Sequence, residues 1–125
     1  MSLNSETQLL RQIHPKWYQE GKISSIAFNP SEDHDFKLSC YNGDKFLPKD
    51  AYDHFIQNNK SIGVVAVRVS DVENLDIKAY EDNISFDGHC VIDFEGVDST
   101  NARKKKASQL RKKAEQGGFL FENNL

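Results

Sequence analysis

The run at residues 61–69, Ser-Ile-Gly-Val-Val-Ala-Val-Arg-Val, most constrains how this 125-residue chain can fold. Its middle, Val64 to Val67, is a continuous apolar block, and three of its four residues are β-branched. Such a block, with polar residues before and after it, predicts a strand that is buried on both faces of a sheet. We therefore expect the other elements to pair beside this strand or to pack on it.

The length and composition predict one globular domain that spans 1–125, because 38% of the residues are apolar and 28% are charged. No apolar run approaches the roughly 20 residues of a membrane span, and the N-terminus lacks the pattern of a signal peptide. Cys40 and Cys90 each lie in a strand-like run. We expect them to be buried thiols in a reducing compartment, with a disulfide as the less favoured alternative. These features predict a cytoplasmic protein of bacterial type.

Local signals predict three helices and a short fourth segment. A capping box begins at Ser5, and Pro15 ends the first helix because the residue before a proline avoids the α region. Pro48 opens the second helix, and Gly117-Gly118 terminates the third. The helices are expected over 5–13, from 48 to about 58 and over 99–116, with a short helix or turn over 70–75.

Apolar alternation and apolar runs predict five strands, separated by polar segments. The polar segments are an acidic loop at 31–35, a turn at 42–44 and an acidic, irregular stretch at 76–87. The mixture of helices and short strands predicts an α+β domain with a mixed or antiparallel sheet and about three helices. The strands are expected at 22–28, 36–41, 62–69, 88–94 and 119–121.

Five short motifs follow one another along the chain, and in this order they resemble a group of small uncharacterised bacterial proteins. Members of that group read approximately R-x-I-H-P, S-x-A-F-x-P, L-S-V-Y-x-G-D and H-A-V-I-D-F, followed by a basic helix and an aromatic end. The resemblance runs from about residue 10 to residue 121. This chain departs from it at Cys40 and Cys90, where valine and alanine are common. The resemblance implies kinship and no particular chemistry. The motifs here are Arg11-Gln-Ile-His-Pro15, Ser24-Ser-Ile-Ala-Phe-Asn-Pro30, Lys37-Leu-Ser-Cys-Tyr-Asn-Gly-Asp44, Gly63-Val-Val-Ala-Val67 and His89-Cys-Val-Ile-Asp-Phe94.

A set of polar residues at the predicted ends of elements forms the first candidate site. Such positions hold side chains that reach into a cleft from a rigid scaffold. A histidine beside a serine can act as a general base, and an arginine can hold a phosphate or a carboxylate. The alternative is that these side chains only satisfy nearby backbone groups. The candidate catalytic residues are Arg11, His14, Ser25, Ser39 and His89.

The sequence predicts no metal and no cofactor. Its cysteines and histidines have the right chemistry for zinc, but they lack the paired spacing of zinc sites. Phosphate-binding loops and nucleophile-elbow motifs are also missing from the sequence. Whether the protein is an enzyme therefore stays open at this point.

The predicted helix at 99–116 is the second candidate site, because it carries seven cations within eleven residues. Residues 1–98 hold 9 Lys/Arg and 17 Asp/Glu, a net charge of −8, whereas residues 99–125 hold 7 and 2, a net charge of +5. Cations in such a helix can neutralise phosphates of nucleic acid. These cations ring the helix, however, and no aromatic residue lies among them, so docking on the acidic part of the chain is favoured over nucleic-acid binding. The nucleic-acid candidates are Lys104, Lys105, Arg111 and Lys112.

Three functions fit these observations. The favoured one is a binding module for a protein partner, including a homodimer in which residues 119–121 pair across two copies. The first alternative is an enzyme or binder that acts on a small phosphorylated or nucleotide-like ligand through the His/Ser/Arg cluster. The second is weak nucleic-acid binding by the basic helix. No membrane partner is expected.

Overall fold

The computed structural model describes residues 3–123, in which eight β-strands form a six-stranded sheet and a separate hairpin. The order in the large sheet is β6-β7-β4-β1-β5-β8, and β2 pairs with β3 in the hairpin. Every neighbouring pair is antiparallel. The strands are β1 (Gln8–Gln12), β2 (Tyr18–Gln19), β3 (Lys22–Ile23), β4 (Lys37–Asn42), β5 (Gly63–Arg68), β6 (Lys78–Glu81), β7 (His89–Asp93) and β8 (Phe121–Glu122).

Three α-helices occur within residues 3–123, and together with the antiparallel sheet they confirm the predicted single-domain α+β class. They are α1 (Pro48–Phe55), α2 (Val69–Glu73) and α3 (Thr100–Gly117). Short 3₁₀ helices cover Pro15–Trp17, Ser25–Phe28 and Glu32–His34. Across the described residues, none of the helices has the length and apolar character needed to cross a membrane.

Two hydrophobic clusters lie on opposite faces of the large sheet. On one face, called the α3 face, α3 packs with Ala107, Leu110 and Ala114 in the same buried cluster as β-strand residues such as Ile92. On the other, called the α1 face, Ala51 and other α1 residues pack against the sheet. Burial of one large aliphatic or aromatic side chain contributes about 1.5–3 kcal/mol, so both faces stabilise the sheet. The sheet residues of the α1 face are Leu10, Tyr41 and Val64.

The run at 61–69 forms β5, which confirms the predicted strand and its burial on both faces. Val65 and Val67 belong to the α3-face cluster, and Val64 belongs to the α1-face cluster. The strand is not central, however, because it lies between β1 and the two-residue β8. The middle of the sheet is made by β4 and β1, and β1 comes from a segment that the sequence predicts to be a helix.

The predicted helix at 5–13 is wrong, because residues 8–12 form β1. Leu9 and Leu10 are both fully buried, and they lie in the clusters on opposite faces of the sheet. Adjacent residues reach opposite faces only in a strand, where side chains alternate. Pairing with both β4 and β5 also supplies partners for the backbone, and this long-range pairing outweighs the local capping signal.

Two further segments differ from the prediction. Of the predicted strand at 22–28, only Lys22–Ile23 forms a strand. The Ser24 hydroxyl then accepts a hydrogen bond from the Ile26 N–H and starts a 3₁₀ helix. The stretch at 76–87, predicted to be irregular, contains the edge strand β6. Its polar sequence carries no strand signal, and the segment is extended because it pairs with β7.

The remaining boundaries agree closely with the sequence. Pro48 opens α1, although the helix ends at Phe55 and not near residue 58. The Ser99 hydroxyl accepts a hydrogen bond from the Ala102 N–H and caps α3. At the other end of α3, Gly118 has φ = +70°, a conformation that glycine adopts without a steric cost.

Candidate functional site: the Arg11 cleft

The site begins where β1 and β4 separate. The two strands pair at Leu9 with Asn42 and at Leu10 with Tyr41, and the pairing stops there. At the start of the ladder, the Gly43 N–H donates to the Gln8 carbonyl. Every second pair of an antiparallel ladder is hydrogen-bonded, so a ladder that continued past Leu10 would join the Gln12 N–H to the Ser39 carbonyl.

The Arg11 side chain fills this split between the strands. Its Nη1 donates to the Ser39 carbonyl oxygen at 2.8 Å, and its Nε donates to the Ala27 carbonyl oxygen at 2.9 Å. The guanidinium also lies over the Trp17 ring, 5.6 Å from the ring centroid. Arg11 therefore ties together β1, β4 and the 3₁₀ helix at Ser25–Phe28, and the Ser39 carbonyl that it binds is one that a continuous ladder would have used.

Arg11 shares a cavity with Asp33, Asp35 and Asp82, but none of these carboxylates forms an ion pair with it. Across residues 3–123, its guanidinium forms no ion pair with a carboxylate, and its Nη2 has no hydrogen bond. Burial lowers the pKa of Arg11 from its ordinary value, because a low-dielectric surrounding disfavours the charged form. Arginine is nevertheless effectively always protonated in proteins. The half-buried cation can therefore gain stabilisation from an anionic ligand.

Three neighbouring cavities meet at Arg11. The cavity on the α1 face, called the Arg11 cleft, has a volume of about 280 Å³. A second cavity of about 410 Å³ shares Arg11, Gln12, Phe55 and Asn59 with it. A third, of about 720 Å³, shares Arg11, Ser39 and His89 with the cleft. Small-ligand sites usually enclose about 300–1,000 Å³, so the cleft with its extensions is large enough for a small molecule.

Aromatic rings line one wall of the cleft. The Phe86 ring lies 4.6 Å from that of His54, 5.0 Å from that of Tyr41 and 5.2 Å from that of His89, measured between centroids. Phe55 lines the cleft from α1. A wall of this kind offers flat, partly apolar surface against which a planar group can pack.

A tyrosine–histidine pair lies at this wall. The Tyr41 hydroxyl and the His54 Nδ1 are 2.7 Å apart. Burial raises the pKa of Tyr41 to about 12, so the phenol keeps its proton near neutral pH. The Tyr41 hydroxyl can therefore donate to the His54 Nδ1, and this hydrogen bond holds both rings in place.

Two more polar side chains line the cleft. The His89 Nδ1 lies 3.0 Å from the Asp82 carbonyl oxygen, and this contact favours the tautomer that carries a proton on Nδ1. Gln12 donates from Nε2 to the Ala51 carbonyl oxygen at 3.1 Å. Its buried Oε1 accepts no hydrogen bond from residues 3–123. Such an orphaned acceptor is uncommon in folded proteins and gains stability from a donor.

The structure brings together three of the five residues that the sequence proposes. Arg11, Ser39 and His89 line the same cleft. His14 lines only the second cavity, where its Nδ1 accepts a hydrogen bond from the Lys16 N–H. Ser25 lies on the 3₁₀ helix at Ser25–Phe28 and lines none of the three cavities that contain Arg11.

Among the cleft residues that sequence reasoning missed are Gln12, Tyr41, His54 and Phe86. The sequence predicts a helix over 5–13, so it does not predict that Gln12 contacts Ala51 of α1. His54 lies on the exposed side of α1, and only the tertiary fold brings it against Tyr41. The one usable signal was the strand alternation of 36–41, which sets Ser39 and Tyr41 on the same side.

Residues 3–123 contain no group of three or more histidine, cysteine or acidic side chains arranged to hold a metal ion. The cysteines, whose separation the sequence leaves open, face each other directly across β4 and β7. Both are free and buried. They belong to the α3-face cluster, and Cys40 also lines the cleft beside Arg11.

The basic helix α3 uses some of its cations internally. Arg103 donates to the Val97 carbonyl oxygen and Lys106 to the Leu75 carbonyl oxygen, while Arg111 forms an ion pair with Glu115. Over the described part of the chain, no ion pair joins α3 to the acidic residues at 71–98, so the helix reaches that region through carbonyl oxygens. Lys104, Lys105 and Lys112 remain exposed.

Comparison of the chain with protein-family models, with curated proteins and with solved structures finds no match.

Proposed function

We propose that the protein binds a small phosphorylated or nucleotide-like ligand in the Arg11 cleft. The observation that carries the proposal is the Arg11 guanidinium, which lines the cleft without a carboxylate partner among residues 3–123. Hydrogen bonds from a guanidinium to phosphate or carboxylate oxygens are short and roughly twice as strong as neutral ones. Arg11 is already held by two carbonyl oxygens, so little side-chain entropy is lost when it binds an anion.

The other cleft residues favour a ligand that carries a planar ring beside its anionic group. Phe55 and Phe86 offer surface for such a ring, and the amides of Asn58 and Asn59 line the same cleft. The Gln12 Oε1 has no donor among residues 3–123, and a small shift of this side chain would let a ring N–H supply one. Sites of this composition, mostly apolar with a few polar groups, are typical of small-molecule binding.

The geometry supports binding over nucleophilic catalysis. A serine nucleophile needs a base within hydrogen-bond reach. Within residues 3–123, the Ser39 hydroxyl forms no hydrogen bond with His89 or with another histidine. Arg11 therefore binds the anionic group of the ligand, and His89 forms part of the cleft wall. Neither residue carries out a chemical step.

The test is a thermal-shift and calorimetric titration with three probes: inorganic phosphate, adenosine and adenosine monophosphate. A ligand at one hundred times its dissociation constant stabilises the native state by about 2.7 kcal/mol. We expect the monophosphate to bind more tightly than either part alone. Failure of all three probes to bind at millimolar concentration would refute the proposal.

Variants connect the binding to Arg11. Arg11→Lys keeps a positive charge but loses the planar fork, and we expect it to weaken binding of the monophosphate about tenfold or more. Arg68→Lys is the matched control, because Arg68 is an exposed arginine at the end of β5, away from the cleft. Equal losses in the two variants would exclude Arg11 as the anion-binding group.

A protein-binding role is the second candidate function, and one feature favours it: within residues 3–123, no strand pairs with the outer edge of β6. Residues 119–121, the sequence-based candidate for pairing between copies, are engaged within the chain, because Phe121 pairs with Val64. A bacterial-type cytoplasmic location forms part of the proposal. It is supported by the free, buried thiols of Cys40 and Cys90, since free cysteines are usual in reducing compartments.

A further inference from the structure

The outer edge of β6 presents unpaired backbone groups. On its inner side β6 pairs with β7, and the Asp82 N–H continues this ladder with a hydrogen bond to the His89 carbonyl oxygen at 2.8 Å. Backbone groups of alternate residues point to opposite sides of an antiparallel strand. The backbone groups of Lys78 and Tyr80 therefore point towards β7, as those of Asp82 do. The N–H and C=O groups of Ala79 and Glu81 point away from the sheet. Across residues 3–123, these outward groups have no hydrogen-bond partner.

The side chains of this edge alternate as well. Ala79 packs against the α3-face cluster. Lys78, Tyr80 and Asp82 lie on the other face, because side chains two apart point the same way. Lys78 is exposed, and the Tyr80 side chain is 37% exposed while its hydroxyl donates to Asp93 Oδ2 at 2.8 Å.

We propose that a second copy of this chain pairs with this edge, antiparallel and centred on Tyr80. In this register, Ala79 of each copy lies opposite Glu81 of the other. Both positions have outward N–H and C=O groups, so four backbone hydrogen bonds form. The two Tyr80 side chains meet at the twofold axis as a non-hydrogen-bonded pair, the type in which side chains approach most closely. The two six-stranded sheets become one sheet of twelve strands.

The charges select this register. With the centre at Tyr80, Lys78 of each copy lies opposite Asp82 of the other, and opposite charges facing each other across strands are favourable. A centre at Glu81 would set two glutamates against each other. A centre at Ala79 would lose both lysine–aspartate pairs. Lysine on an edge strand normally discourages pairing with another chain, but here Asp82 of the second copy compensates its charge.

The experiment measures the monomer–dimer equilibrium of the full chain by sedimentation over micromolar to submillimolar concentrations. We expect a reversible dimer. Lys78→Asp and Asp82→Lys each create two like-charge contacts, and each is expected to raise the dimer dissociation constant about tenfold. The combined variant restores opposite charges and should recover wild-type association. Lys104→Asp is the matched control, because it makes the same charge change at an exposed position of α3.

Glu81→Pro provides an independent test. Proline at this position removes an N–H that points outward, and edge strands tolerate such a proline. We expect a monomer whose circular dichroism spectrum matches that of the wild type. A wild-type chain that stays monomeric at all concentrations overturns the proposal. A dimer that withstands the two single charge changes overturns it too, because its interface would lie elsewhere. The charge-reversal set decides the question if the proline variant does not fold.

Discussion

Cys40 on β4 and Cys90 on β7 lie directly opposite each other in the antiparallel ladder, and both thiols are buried and free. The Asn42 N–H donates to the Gly88 carbonyl oxygen two residues away, so Cys40 and Cys90 occupy a hydrogen-bonded pair. The Cβ atoms of opposite residues in a ladder are about 4.5–5.5 Å apart, with the larger values in pairs of this type. A disulfide needs a Cβ separation of about 3.5–4.5 Å. The two thiols are therefore neighbours whose backbone does not favour a bond between them.

The first prediction concerns thiol reactivity. Burial raises the pKa of Cys40 to about 11 and that of Cys90 to about 12. At pH 8 roughly one Cys40 side chain in a thousand is a thiolate, the form that reacts. We expect almost no reaction of the native protein with a disulfide reagent over minutes, and two reactive thiols after denaturation. Rapid modification of the native protein, or a disulfide detected by mass without denaturant, would contradict this account.

The second prediction concerns alkaline pH. The folded-state pKa values of both cysteines lie above their ordinary value of 9.0, so the unfolded chain loses these protons first as the pH rises. Their contribution is fully present below about pH 9 and is lost as the pH rises towards 11–12. We expect the free energy of unfolding to fall across this window. The double variant Cys40→Val with Cys90→Ala should show a shallower decline in urea denaturation; an unchanged slope would assign the decline to other groups such as Tyr41.

The third prediction concerns the structural role of Arg11. Removal of the guanidinium leaves the carbonyl oxygens of Ser39 and Ala27 without the donors they use in the wild type. Hydrogen bonds to a charged group contribute about 1.5–3 kcal/mol each, and the bond to Ser39 is exposed to solvent and contributes less, so Arg11→Ala should lower the free energy of unfolding by about 2–4 kcal/mol. Arg68→Ala, which removes an exposed arginine 3.7 Å from Glu6, should change it by less than about 0.5 kcal/mol. Urea denaturation followed by circular dichroism measures both values.

The fourth prediction concerns Gly63, which starts β5 beside the last strand. A Cβ at this position would lie 2.5 Å from the Phe121 carbonyl oxygen and 2.8 Å from the Phe119 ring. Gly63→Ala should therefore push residues 119–122 away from β5 and cost about 1–3 kcal/mol, as overpacking does. Gly96→Ala is the control, because a Cβ there meets nothing within 4 Å. Equal stability of the two variants in urea would show that β8 can move away from β5 without lowering the free energy of unfolding.

The fifth prediction concerns nucleic acid. Lys104, Lys105 and Lys112 are exposed on α3, but residues 1–98 carry a net charge of −8 and repel a polyanion. We expect binding to random duplex and single-stranded oligonucleotides no tighter than about 10⁻⁴–10⁻⁶ M at physiological salt. Fluorescence anisotropy measures this affinity. Nanomolar binding that disappears on Lys105→Glu with Lys112→Glu would mean that α3 is a nucleic-acid site.

The sequence alone determines the elements whose local pattern and burial agree. The valine run at 61–69 becomes a strand that is buried on both faces, and Ser99 and Gly118 limit α3 as their chemistry requires. The alternation over 36–41 gives β4 and places Leu38 and Cys40 on the same face. In these segments the preference of each residue can be satisfied locally, so no knowledge of the partner strand is needed.

Only the tertiary structure decides the segments whose backbone partners lie far away in the chain. Residues 8–12 form a strand because β4 and β5 flank them, although a capping box at Ser5 favours a helix. The polar segment β6 likewise forms a strand because it pairs with β7. The cleft depends on the fold for the same physical reason. Arg11 and Ser39 are recognisable as polar candidates in the sequence, but their contact exists only because β1 and β4 separate after Leu10, and that separation is a property of pairing between distant strands.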